Sequence, residues 1–312
     1  MSARSDRIAG VLVGLAAGDA LGAGYEFGPA FDGPVEMKGG GSFGWEPGEW
    51  TDDTQMAICI AEQAATGDLD LNAIGDRFIA WSQEATDIGN QTRAVLSQAI
   101  LGADLPAIAA ARFHQRPRHS AGNGSLMRTG PVALPYLGDN DRIAEAAAAV
   151  SALTHADPLA IDGCVLWSIA VGEAVGTGEL PEIRIGLDHL PPDRRDRWSE
   201  MIDDAEARPP GVFTPNGFVV TAFQAAWSTI THTPIPTDRP AGHLQTTLKN
   251  AVRIGHDTDT VAAIAGTLLG AVWGAPAVPD EWQEVMHGWP SYTTSDLIRL
   301  ALAAAPTTPP IT

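Results

Sequence analysis

The stretch Ile8–Gly22, IAGVLVGLAAGDALG, decides the class of fold. Arg4 and Arg7 precede an apolar run from Ile8 to Ala17, which mimics a secretory signal. Asp19 interrupts soon after, and Gly14, Gly18 and Gly22 recur at the four-residue step that places residues on one helix face. The pattern predicts a buried helix in close contact with a neighbour, not an export signal. No run in the chain is read as long enough to span a membrane.

Outward from this segment the periodicity stays helical. After Thr51, the apolar positions Met56, Cys59, Ile60 and Ala64 recur at three- and four-residue steps, as Val261, Ile264, Ala265, Leu268 and Val272 do after Asp259. Alanine-rich windows predict helices at 94–112, 141–153 and 159–175, and more weakly at 218–230. No alternation of strand and helix is visible, so an all-α fold is expected. Residues 27–49 are glycine-rich, and 205–217 and 232–243 are proline-rich, which marks them as loops and connections. One domain over residues 1–305 is expected, followed by a disordered tail from Pro306 to Thr312.

The 312 residues carry 38 acids and 19 bases, a formal net charge of -19. Such a chain repels nucleic acid and anionic membrane on average, but not divalent cations. An acidic, solvated surface explains most of these carboxylates. Cys59 and Cys164 lie in apolar runs and read as core residues of a protein in a reducing, cytoplasmic compartment. No CxxC or HExxH pattern supports zinc.

Two short segments stand out at predicted helix starts: Thr51-Asp52-Asp53-Thr54 and Asp257-Thr258-Asp259-Thr260. Either alone reads as an ordinary helix cap. One cap needs one side chain, however, and each segment offers two carboxylates with flanking hydroxyls. Carboxylates concentrated in this way repel one another unless a cation neutralises them. Hard oxygen donors suit magnesium or manganese, and two clusters could hold two ions about 3.5–4 Å apart. Gly122-Asn123-Gly124-Ser125 could bring backbone N–H groups to a phosphate, and Arg128 could pair with a phosphate or a structural carboxylate. Gly40-Gly41-Ser42-Phe43-Gly44 matches the GxSxG elbow, but a glycine run precedes it and Pro47 follows, so a serine hydrolase is rejected. No GxxxxGK[ST] loop is present.

At these residues the sequence resembles the ADP-ribosylglycohydrolase family. The matching stretches are Gly14–Phe27 (GLAAGDALGAGYEF), Trp50–Thr54 (WTDDT), Gly122–Arg128 (GNGSLMR), Thr154–Asp157 (THAD) and Gly255–Gly266 (GHDTDTVAAIAG). The resemblance implies an all-α fold, two magnesium or manganese ions, and hydrolysis at C1 of the distal ribose of ADP-ribose. It implies Thr51, Asp52, Asp53, Asp257, Asp259 and Thr260 as metal ligands. Glu26 and Asp87 become candidates for the catalytic acid or base. Gly122, Asn123, Gly124 and Ser125 would hold the diphosphate, with His155 beside it and Phe218 stacked on adenine. The blander readings are that Glu26 is a surface acid and that Asp87 caps a helix at Ile88.

The expected partners are ADP-ribose and an ADP-ribosylated protein, with arginine the favoured linkage and the enzyme a monomer. Three alternatives stay open. These are a hydrolase of serine-linked ADP-ribose or a small conjugate, a non-catalytic ADP-ribose binder, and a phosphohydrolase cutting the diphosphate.

Overall fold

The computed structural model describes residues 1–306, so the tail expected from Pro306 lies, but for that residue, outside the described residues. In chain order the helices are α1 (Ala3–Gly22), α2 (Asp52–Ala64), α3 (Leu71–Ser82), α4 (Asn90–Leu96), α5 (Leu105–Gln115), α6 (Leu126–Thr129) and α7 (Asn140–Ala152). They continue with α8 (Pro158–Thr177), α9 (Pro192–Ala207), α10 (Val219–His232), α11 (Gly242–Arg253), α12 (Thr258–Trp273), α13 (Asp280–Gln283) and α14 (Thr294–Ala304). Among the described residues the only sheet is one antiparallel pair, β1 (His287–Gly288) with β2 (Tyr292–Thr293).

The glycine spacing in α1 does what it predicts. A Cβ on Gly14 would lie 2.2 Å from the Gly266 carbonyl oxygen, and one on Gly18 would lie 2.0 Å from that of Ala262. Gly10 meets Gly270 in the same way, and Gly22 meets the backbone of Asp259. The two helices therefore run antiparallel with backbones touching, which only glycine permits along this seam. Around them pack α2, α8, α10, α11 and α14. Trp167 on α8 donates through Nε1 to the Ile264 carbonyl at 3.1 Å. One hydrophobic core runs through the fold from Ile8 to Ala305, and both cysteines are buried and free within it.

Three expectations need correction. First, α1 and α8 are in fact long and apolar enough to cross a membrane, yet 89% and 78% of their apolar windows are buried inside the protein. They are core helices, and burial all round requires the same apolarity as lipid does. Second, the helix expected over 94–112 is two helices. Asp76 Oδ1 accepts from the Gly102 N–H at 2.6 Å, and Asp104 accepts from the Ile100 and Leu101 N–H groups. These contacts from α3 and a local acid outcompete alanine propensity. Third, the connection read over 205–217 begins later, because α9 continues to Ala207.

Candidate active site

The antiparallel α1/α12 pair places the end of one helix against the start of the other, and the site grows from that junction. Thr51 precedes α2 but makes no side-chain cap, and neither does Asp257 before α12. The cap of α2 comes from another helix. Asp19, wholly buried on α1, accepts from the N–H groups of Thr51 and Thr54, each at 3.0 Å, and from Thr54 Oγ1 at 2.6 Å. Asp52 and Asp53 are thereby released from capping. The reading of these clusters as ordinary caps does not hold.

The carboxylates form two sets, one buried and one partly exposed, that share the buried Asp259. Asp19, Asp53 and Asp259 offer oxygens within 4.8 Å of one another, and so do Glu26, Asp257 and Asp259. Thr51 Oγ1 and Thr260 Oγ1 both approach Asp53 Oδ2, at 3.5 Å. Asp53 Oδ1 and Glu26 Oε2 are buried with no hydrogen-bond partner. Burial first, and the neighbouring carboxylates second, push Asp52 up to about 8 and Glu26 up to about 9. Asp53 and Asp259 are pushed well above the usual carboxylate range for the same two reasons. Unpaired, all-oxygen and mutually repelling, this donor set fits divalent cations, whose charge would offset both penalties.

Backbone strain aims the second set. Phe27 and His256 are left-handed, with φ of 61° and 63°. Phe27 N–H donates to His256 O at 2.7 Å, and His256 N–H donates to Gly28 O at 2.8 Å. This exchange sets Glu26 beside Asp257, so Glu26 is no surface acid. Left-handed non-glycine residues are costly and concentrate at functional sites. Asn216, wholly buried, accepts from the Asp257 N–H at 2.9 Å, while Asn123 Nδ2 donates to Asp257 Oδ2 at 2.8 Å. The glycine loop and the second acidic cluster are thus one assembly.

These groups line a cleft of about 750 Å³. Its walls include Glu26, Asp52, Asp87, Gly122, Asn123, Gly124, His155, Asp257, Asp259 and Thr260. Thr51 and Asp53 lie beneath them. Asp87 is half-buried, and Ile88 is not helical, so Asp87 caps no helix there. Its carboxyl is raised by burial, against an opposing hydrogen bond from Ile88 N–H. His155 is buried, and its Nδ1 lies 2.7 Å from Thr154 Oγ1, which in turn accepts from Arg128 at 2.6 Å.

Three residues sit differently from expectation. The Ser125 hydroxyl turns inward to Ser151 and Cys164, and the residue is wholly buried behind the cleft wall. Phe218 is bridged to Gly122 but is not on the cleft wall; the rings there belong to Phe27 and Phe43. Arg128 is wholly buried, stands off the cleft wall, and among the described residues forms no ion pair with a carboxylate. It donates to Thr154 and Met56 Sδ and lies 4.6 Å over the Phe78 ring. Sequence reading missed Asp19 and Asn216. A lone acid in an apolar helix signalled the first, and nothing local signalled the second.

The sequence pattern described as ADP-ribosylglycohydrolase matches residues 1–309. The chain belongs to the ADP-ribosylglycohydrolase family. It is 30% identical to an ADP-ribosyl-[dinitrogen reductase] glycohydrolase of Rhodospirillum rubrum, over 89% of each chain. It is 28% identical to the ADP-ribosylarginine hydrolase Tri1 of Serratia proteamaculans, over 89% of this chain and 74% of that protein. The human ADP-ribosylhydrolase ARH3 is 26% identical over 96% of this chain and 94% of its own. A solved structure titled ADP-ribosylglycohydrolase-related protein complex superposes with a TM-score of 0.74 at 28% identity, covering 97% of this chain and 98% of that one. Family and relatives are ADP-ribosyl glycohydrolases, and the all-α architecture matches the fold of this family.

Proposed function

We propose that this family member removes ADP-ribose from arginine side chains of proteins, cutting the bond between C1 of the distal ribose and the guanidine nitrogen. The observation that carries this reading is the pair of buried, unpartnered carboxylate oxygens, Glu26 Oε2 on the cleft wall and Asp53 Oδ1, each in a carboxylate set with the cleft-lining Asp259. The arginine linkage is favoured by one relative, named an ADP-ribosylarginine hydrolase. Thr51, Asp52, Asp53, Asp257, Asp259 and Thr260 would hold two ions, Mg²⁺ or Mn²⁺. When bound, such ions supply Lewis acidity and a template for the ribose diol.

The chain's own groups do the rest. Asp87 holds the guanidine through charge-assisted N–H bonds. Surrounding carboxylates stabilise positive charge as it develops at C1. The C1–N bond breaks, the water oxygen bonds to C1, and the water proton passes through Glu26 to the departing guanidine. The test is a panel of arginine- and serine-linked ADP-ribosyl peptides, each with Mg²⁺, Mn²⁺ or chelator. The expected result is free ADP-ribose from the arginine conjugate, lost in chelator. Faster serine cleavage overturns the linkage, AMP as product overturns the bond, and full activity in chelator overturns the metal site.

A further inference from the structure

The charges along the cleft are sorted. The chain has 38 acids to 19 bases, yet Arg112, Arg116 and His119 gather on the cleft wall. They do so because α5 ends there. Arg116 N–H donates to Arg112 O at 2.9 Å and His119 N–H to Arg116 O at 3.0 Å, so the three stand on the last turn of α5 and the short turn that follows it. Among the described residues none of them forms an ion pair. Arg112 is half-buried, and its Nε is buried without a partner.

Cations favour a helix C-terminus, which explains their place in the sequence. It does not explain a guanidinium left unpaired among so many acids and facing a cavity. The same cavity is lined by the Gly122–Gly124 loop and His155. The loop lies so close that a Cβ on Gly124 would come 3.2 Å from His155 Cε1. Arg112 is also near enough to His155 to help depress its basicity, after burial and Arg128.

We infer that Arg112 and Arg116 form a side-chain phosphate clamp, assisted by His119, that holds the diphosphate of ADP-ribose against the Gly122–Gly124 loop. The inference rests on the substrate proposed above. Guanidinium forks match phosphate oxygens in pairs, and an unpaired buried Nε needs an acceptor.

The test is calorimetric titration of the full chain, at constant Mg²⁺, with ADP-ribose, ADP, AMP and adenosine. The double variant Arg112→Gln, Arg116→Gln should bind ADP and ADP-ribose roughly tenfold or more weakly, with adenosine unchanged. Its ADP affinity should also fall less steeply with salt than that of the wild type. Arg116 is exposed, so Arg116→Gln alone should keep the wild-type melting temperature and still weaken ADP. Unchanged ADP binding by the double variant overturns the clamp and leaves the proposed reaction standing. Equal weakening of ADP and adenosine overturns it in favour of stacking on the base, and a wild type that binds no phosphate ligand overturns it outright. ADP binding lost in the double variant, from a wild type that cleaves no conjugate, supports the clamp and sinks the reaction.

Discussion

Asp19 shows how much one side chain organises. Its two oxygens take the Thr51 and Thr54 N–H groups and the Thr54 hydroxyl at the start of α2, so neither Asp52 nor Asp53 has to cap that helix. Asp19→Ala would leave two buried N–H groups and a hydroxyl unsatisfied. The expected loss is about 2–5 kcal/mol in denaturant unfolding, with Asp19→Asn losing less because it keeps one acceptor. A loss under about 0.5 kcal/mol would mean that the cap is dispensable. Asp87 is the opposite kind of residue, half-buried and facing the cleft. Asp87→Asn should lower kcat on arginine conjugates by about 10² or more while ADP-ribose affinity and melting temperature stay near wild type. Lost stability with unchanged turnover would reassign Asp87 to structure. Asp87 stood in the sequence as a candidate, but its freedom from capping depended on where α4 begins.

At the scale of elements, the seam between α1 and α12 carries the architecture. Gly14→Ala gains up to about 1 kcal/mol of helix propensity but drives a methyl group into the Gly266 carbonyl. Overpacking of this kind costs about 1–3 kcal/mol or more, and with backbone on both sides the clash wins. The control is Gly176 near the end of α8, where a methyl group would meet nothing within 4 Å. Gly176→Ala should stabilise by about 0.5–1 kcal/mol. Opposite signs in the two melting curves would establish the seam, and two stabilised variants would refute it. The seam was readable as a four-residue glycine step. The break between α4 and α5 was not, because it depends on Asp76 reaching across from α3 to Gly102.

For the whole molecule, the acidic floor couples stability to pH and to cations. Without bound cations, Asp52 is pushed up to about 8 and Glu26 up to about 9, chiefly by burial. The folded state then holds protons that the unfolded chain has already released, so stability falls as pH rises. The metal-free protein should therefore melt lower at pH 9 than at about pH 7, as the pH passes the raised values of Asp52 and Glu26. Mg²⁺ should raise the melting temperature more at the upper end of that window. A flat profile, or a Mg²⁺ effect that shrinks with pH, would show that these carboxylates do not share a cation site.

The sequence by itself determined the features written in local periodicity and short motifs. These are the all-α class, the glycine seam, and the two acidic helix starts that pointed to the family. Periodicity is local, since side chains three or four residues apart must share a helix face. Only the tertiary structure decided which way each polar side chain turns. It set Asp53 against Thr260, 207 residues away, turned the Ser125 hydroxyl inward, and buried Arg128 off the cleft wall. It also joined Glu26 to Asp257 through two left-handed residues that exchange backbone hydrogen bonds. These outcomes follow from close packing between distant segments. There, the cost of burying an unpaired polar group chooses among orientations that the local sequence leaves equal.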